Sequence, residues 1–340
     1  MDPCQNPTLG CGETPEAQER PLPSASYPSD GLREQNCPLC GGRELGVAEQ
    51  LSGLQLRALW KALGCEFTPE AWGKIHEHYL VVLQRCRTCG FEFFDPSLAG
   101  DEAFYRELDH PEYYSALRPE FARTLVFAKR KGLLRVLDVG CGSGGFLDLA
   151  RQAGCQTHGL ELSTAAAEKA RAKGHKIFSG LLPDLDRQQT SGEFDLISFF
   201  QVLEHVPAPI TVLKQAALLL NTGGYISVAV PSAHGVYRLA PWDPHQWPPH
   251  HVGRWRLADL DQLGRAAQLK RIDSGGDVLL GSDIAHLWKI HNQLAPVLGK
   301  RGWWGGDALA EVISFVYRKS GMKLWFPRRG SSIYGYFQKP

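Results

Sequence analysis

Three groups of residues have types and spacings that could do chemistry. Cys37-Pro38-Leu39-Cys40 and Cys86-Arg87-Thr88-Cys89 are two Cys-x-x-Cys pairs, each followed by a glycine. Two such knuckles bring four thiolates together, the set that a structural zinc takes, with no coordination position left for chemistry. Asp138, Gly140, Gly142 and Gly144 follow the apolar run from Val136 and precede a periodic apolar segment, Phe146 to Ala153. That is a strand, a glycine turn and a helix N-terminus, where a flat ligand lies against bare backbone that a Cβ would obstruct. The third group is His205 together with His245, His250 and His251, whose imidazoles titrate near neutrality and suit proton transfer. Between Trp242 and Trp255 the loop carrying the last three is dense in Pro, Trp and His, as a stiff lid over a bound molecule would be.

The glycines alone leave the ligand open, because Gly140, Gly142 and Gly145 also satisfy the dinucleotide pattern G-x-G-x-x-G. Asp138 weighs against a dinucleotide: two residues before the first glycine, a carboxylate repels pyrophosphate but suits a ligand carrying an ammonium group. S-adenosylmethionine (SAM) is such a ligand, with a sulfonium, an amino-acid head and no phosphate. Asp138-x-Gly140-x-Gly142-x-Gly144 resembles the first cofactor motif of the class I SAM-dependent methyltransferases. The next strand, Gln156 to Leu160, ends at Glu161, where an acid can take both ribose hydroxyls. Ser163 caps a helix to Lys173, and Lys176 to Ser179 is a short third strand. The loop from Gly180 to Asp184, with Leu182 at its centre, belongs beside the adenine, whose amino group Asp184 could receive. Phe194 to Phe200 reads as a buried central strand ending in Gln201-Val202-Leu203-Glu204-His205-Val206. This run resembles the fourth motif of small-molecule methyltransferases, and Gln201 is counted with the cofactor contacts.

The elements that position these groups follow a βα alternation. The resemblance, to the family labelled Methyltransf_23, spans roughly Cys37 to Ser274 and includes a zinc ribbon that some members carry. It implies an α/β fold, a Rossmann-like seven-stranded class I methyltransferase sheet with a small N-terminal zinc-ribbon module. The expected partition is a disordered tail at 1–36, the ribbon-like module at 37–100, the SAM-binding core at 101–274, and C-terminal helices with a terminal strand at 275–340. Helices are expected at Leu51 to Leu63, Arg118 to Lys131, up to Asn221, Leu257 to Ala267, Ile284 to Val297 and Ala308 to Ser320. Strands are expected at Tyr79 to Leu83, Tyr225 to Val230, Leu269 to Asp273 and Ser331 to Phe337. Aromatics such as Phe104, Tyr105, Tyr113 and Tyr114 would cover the seam between module and core, and Trp303, Trp304 and Trp325 would close a core or line a cleft.

Composition narrows the function. Thirty-seven basic against 36 acidic residues leave a net charge of +1, which gives no electrostatic footprint for nucleic acid. The absence of an Asn/Asp-Pro-Pro-Tyr tetrapeptide after the fourth core strand also weighs against RNA base methylation, the competing enzyme reading. No run of 18 apolar residues appears, and nine cysteines with two spaced pairs fit a metal in a reducing compartment, so a soluble cytoplasmic protein is expected. The resemblance implies methyl transfer to a small hydroxylated acceptor, a sugar or other metabolite, with His205, His250 or His251 as general base. Asp243 with these histidines could instead bind a divalent metal. A zinc- and SAM-binding scaffold without turnover is the reading from outside enzymology. Oligomeric state is not legible.

Overall fold

The computed structural model describes residues 35–108, 118–185, 192–278, 281–299 and 330–340. The expectations for most of the N-terminal tail, Tyr113, Tyr114, the helix from Ala308 to Ser320, and Trp303, Trp304 and Trp325 lie outside these residues. The N-terminal part runs β1 (Leu45–Ser52), α1 (Gly53–Ala62), α2 (Pro69–Trp72), β2 (Leu80–Cys86), β3 (Glu92–Phe93) and α3 (Glu102–Glu107). The larger part follows as α4 (Pro119–Lys131), β4 (Arg135–Val139), α5 (Gly145–Gln152), β5 (Gln156–Glu161), α6 (Thr164–Ala172) and β6 (Lys176–Ser179). It continues with β7 (Phe194–Phe200), α7 (Pro209–Leu219), β8 (Leu220–Pro231), β9 (Gly253–Arg254), α8 (Leu257–Ala266), β10 (Lys270–Gly276), α9 (Gly281–Leu294) and β11 (Ser332–Gln338).

Seven strands form one sheet in the order β10-β11-β8-β7-β4-β5-β6. β4 lies parallel to β5 on one side and to β7 on the other, so the winding reverses there. Ligands of open α/β sheets bind at such a reversal, outside the carboxyl ends of the strands. β11 runs antiparallel to both β8 and β10, and β10 is the edge strand on that side. The central strands read as continuous apolar runs because both faces are covered. Leu137, Ile197 and Phe199 pack with Leu213 and Leu260 on one face, and Val136 and Leu196 with Phe121 and Phe146 on the other. α7 ends two residues before the expected Asn221. Leu220 is already paired with Phe194, and the Asn221 amide donates to Asp195 at 2.8 Å, so the chain must leave the helix early to reach its neighbour.

The smaller sheet has the order β1-β2-β3-β9. Its last strand is Gly253–Arg254, from inside the Trp- and His-rich loop, paired with Phe93 and Glu92. Trp247 of the same loop is buried with Leu56, Trp60, Phe94 and Phe104 of the N-terminal part. Phe104 also faces His250, with ring centroids 6.2 Å apart, so the aromatic seam is assembled from both parts. No helix among the described residues is long and apolar enough to cross a membrane.

Candidate active site

The glycine turn is built by backbone demand. Gly140 and Gly144 adopt φ of +71° and +84°, a left-handed region that side chains rarely enter. The Gly140 and Cys141 amides both donate to Leu160 O, at 2.8 and 3.2 Å, which bends the chain over the end of β5. Gly142, also left-handed, donates its N–H to Glu161 Oε2 at 2.8 Å, while Ser163 N–H donates to Oε1 at 2.8 Å. Glu161 is thereby aimed along the cavity wall, and burial raises its carboxyl above the usual range despite these donors. Asp138 lies beneath the turn, 3% exposed, opposite Ser198 in the neighbouring strand. Its Oδ1 accepts from Ser198 Oγ at 2.7 Å, and burial pushes its pKa up to about 7. Asp184 is exposed and accepts from its own loop at Leu181 N–H, 2.8 Å away, whereas Leu182 is buried and lines the cavity.

The carboxyl ends of the central strands open on a cavity of about 1590 Å³. A drug-sized ligand occupies a pocket of about 300–1,000 Å³, so cofactor and acceptor fit side by side. Val139, Gly140, Glu161, Leu182 and Gln201 line one end, and Glu204, His205, His250 and His251 another. The glycine turn, the oriented carboxylate and the buried apolar Leu182 suit a nucleoside with an amino-acid arm, so these residues fit SAM. Gln201 is a non-glycine residue at φ +57°, a conformation that costs on the order of 1–3 kcal/mol unless surroundings enforce it. Its Nε2 donates to Glu120 Oε1 and Ser332 Oγ, both at 3.1 Å, and its backbone N–H to Ala229 O at 2.7 Å.

Three of the histidines converge. The ligand atoms of His205, His250 and His251 lie within 4.8 Å of one another. His205 Nδ1 donates to His250 O at 2.5 Å, and His250 Nδ1 donates to His245 O at 2.8 Å. Burial lowers His205 to about 4, against the pull of the His250 and Gln201 carbonyls, and holds His250 and His251 well below the ordinary value. All three are neutral at pH 7. Glu204, 1% exposed, sits beside them with Oε1 3.8 Å from His205 Nε2, and burial raises it to about 8. Asp243 belongs to a different constellation. It accepts from His245 Nδ1 at 2.8 Å and lies 4.0 Å from His286 Nε2. Burial alone would raise Asp243, but His245 and His286 hold it below the usual carboxylate range.

Cys37 Sγ lies 3.6 Å from Cys89 Sγ, and Cys40 Sγ 3.5 Å from Cys86 Sγ, with all four within 4.8 Å. A tetrahedron with Zn–S of about 2.3 Å has edges of roughly 3.8 Å, so the cluster is compatible with zinc. Gly41 and Gly90 turn each knuckle at φ +73° and +78°, and Gly42 N–H donates to Cys40 Sγ at 3.3 Å. Arg256 Nη2 donates to Cys89 O at 2.8 Å and to Asp259 Oδ1 at 2.6 Å, joining the second knuckle to the start of α8.

Residue types alone did not single out Glu120, Glu204 or Ser332. Glu204 was legible as part of a motif, but its burial was not. Ser332 reaches Gln201 across 131 positions, a contact with no local signal.

A sheet of this order, with a glycine turn, an acid after the second core strand and a roomy cavity at the reversal point, is the frame of a SAM-dependent methyltransferase. The methyltransferase domain family matches residues 105–274, half of the chain, and the chain belongs to that family, whose cofactor is SAM. It is 29% identical over 159 residues to a ubiquinone biosynthesis O-methyltransferase of Stutzerimonas stutzeri, covering 38% of this chain and 67% of that protein. It is 30% identical over 162 residues to the protein of that name in Xanthomonas oryzae pv. oryzae, covering 42% and 65%. The chain thus spans about two thirds of the length of these curated relatives. Among solved structures, a SAM-dependent methyltransferase from Archaeoglobus fulgidus aligns over 64% of this chain and 94% of that one, at 16% identity and a TM-score of 0.43.

Proposed function

We propose that the chain methylates a hydroxyl of a small acceptor, a sugar or another hydroxylated metabolite, held against His205, His250 and His251. The observation that carries this reading is the convergence of two buried imidazoles and one half-buried imidazole on the cavity that the cofactor turn also faces. When bound, SAM supplies an electrophilic methyl group, so the protein has only to align the acceptor and ease removal of its proton. Glu161 would take the ribose hydroxyls and Leu182 would flank the adenine. Gly140, Gly142 and Gly144 let backbone approach, while Asp138 and Gln201 fix the strand ends beneath the amino-acid arm. In its simplest form, the hydroxyl proton passes to an imidazole of the cluster. Burial keeps these rings unprotonated and also weakens all three as bases, so alignment of the acceptor against SAM carries most of the step.

Cys37, Cys40, Cys86 and Cys89 would hold a structural zinc that fastens the smaller sheet. Four reduced thiols suit a cytoplasmic setting. Transfer of labelled methyl from SAM to a panel of hydroxylated metabolites tests the reading. Replacing all three histidines by alanine should lower turnover by at least about 100-fold, the lower end of acid–base contributions, with SAM affinity held within twofold. Full turnover in that variant would refute the assignment.

A further inference from the structure

We propose that His205, His250 and His251 form a binding site for a divalent transition-metal cation of the zinc type, with Glu204 beside it and open positions facing the cavity. The site rests on geometry. That the cation receives the acceptor oxygen rests in addition on the reading above, in which the hydroxyl lies against this cluster; with the ion bound the imidazoles are ligands and not bases, and the cation would instead acidify that hydroxyl, its proton leaving to water.

Four features converge. The three ligand atoms already lie within 4.8 Å of one another. Ligands at about 2.1 Å around a tetrahedral zinc stand roughly 3.4 Å apart, so loading must draw them together by an ångström or so and turn the His251 ring, which stacks on His250 at 18°, toward the ion. Second, two of the rings are oriented as metal-binding imidazoles are. His205 and His250 each commit Nδ1–H to a backbone carbonyl, at 2.5 and 2.8 Å, which fixes the tautomer in which Nε2 is the basic nitrogen. Third, the Glu204 carboxyl is buried with Oε1 3.8 Å from His205 Nε2, and its Oε2 is a buried polar atom without a hydrogen-bond partner. Such a group is costly to bury unless something compensates it, and a cation among the adjacent imidazoles would. Fourth, all four residues line the cavity, so the open side of the cation would face an incoming ligand.

The donor set identifies the class of ion. Neutral imidazoles select zinc, cobalt, iron(II), nickel or copper, whereas magnesium and calcium require oxygen ligands. Three protein ligands with an open position is also the pattern of zinc sites that engage a substrate, in contrast to the closed thiolate cluster at Cys37, Cys40, Cys86 and Cys89. Asp243 and His245 bind each other and are not part of this site.

The test is cobalt and zinc loading of the full-length chain, read by elemental analysis and visible absorption. Wild type should take up two ions per chain, one at the thiolates and one at the histidines. His250→Ala/His251→Ala and the milder His251→Gln should each take up one, retaining the thiolate-to-cobalt band that reports a folded ribbon. A single ion in saturated wild type, or a second ion that persists in both variants, would overturn the site. Methyl transfer is scored separately. A second ion in a chain that methylates no hydroxylated acceptor upholds the metal site and sinks the proposed function. Only one ion in a chain with full O-methyl transfer overturns the metal site and leaves the function standing.

Discussion

Replacing Gly140 by alanine tests whether the cofactor turn is constrained as its geometry implies. Gly140 sits at φ +71°, where an L side chain costs roughly 1–2 kcal/mol. A Cβ there would also lie 2.6 Å from Val202 Cγ2, and Val is stiff at χ1, so the neighbour cannot swing away freely. Overpacking of this kind adds about 1–3 kcal/mol, for a total of about 2–5 kcal/mol. Against a typical net stability of about 5–15 kcal/mol, the loss should be plain in a denaturant melt. Val202→Ala separates the two parts. With both methyls gone, the nearest atom of that side chain is Cβ of residue 202 at 3.9 Å, an ordinary contact. The double variant should therefore regain the overpacking part and keep a deficit of about 1–2 kcal/mol from φ alone. The assay is a double-mutant cycle on denaturation midpoints, with calorimetry of SAM binding in parallel. Gly140→Ala should weaken SAM at least about tenfold, because the new methyl disturbs the backbone that meets the ligand. Strictly additive stability losses, or unchanged SAM affinity in the single variant, would refute the reasoning.

Asp138 carries a pH dependence of definite sign. Its folded pKa of about 7 lies above the ordinary 3.8, so its contribution to stability is fully present below about 3.8 and is lost as pH rises through 7. Asp138→Asn keeps an acceptor for Ser198 and removes the buried charge. It should raise the stability of the cofactor-free chain by up to about 4 kcal/mol at pH 8, by only about 1.5 kcal/mol at pH 5, and little at pH 3. Equal effects at the two pH values would show that the carboxyl is not the titrating group. For the thiolate cluster, Cys37→Ser and Cys86→Ser should each lose the metal of that site by elemental analysis. Each should also destabilise the chain by several kcal/mol in a chemical melt, because binding energy at such a site is folding energy. Wild-type melts from either variant would count against a structural metal.

Much of the fold was legible because its signals are local. The run from Val136 to Val139, its glycines, and the apolar strand from Phe194 to Phe200 each carry their own periodicity and punctuation, and the strands lie where those marks fall. The early end of α7 was not legible, because the pairing of Leu220 with Phe194 is a tertiary demand that overrides helix preference. In the site, His250 and His251 were visible as a pair, but their meeting with His205 depends on the return of the loop across the ends of β7 and β8. The same return separates Asp243 from them. Asp184 was expected beside the adenine amino group, yet a short polar side chain in a turn finds its own backbone first, and Leu181 N–H is 2.8 Å away. Burial of Glu204 and the grip of Ser332 on Gln201 are products of chain segments far apart in sequence, which no spacing rule encodes.

β9 has a consequence for how the molecule can be cut. Gly253–Arg254 is an edge of the cysteine-bearing sheet and also part of the loop that carries His250 and His251. Removing residues before 101 would strip β9 of its partner β3 and strand Trp247 and Trp255, now 2% and 1% exposed, in water. The two parts should therefore unfold as a single cooperative unit, and a shortened catalytic core would lose the backbone that sets its histidines. An insertion or fusion is better tolerated at the exposed Gly73, where a Cβ would meet nothing within 4 Å, than anywhere along that shared strand.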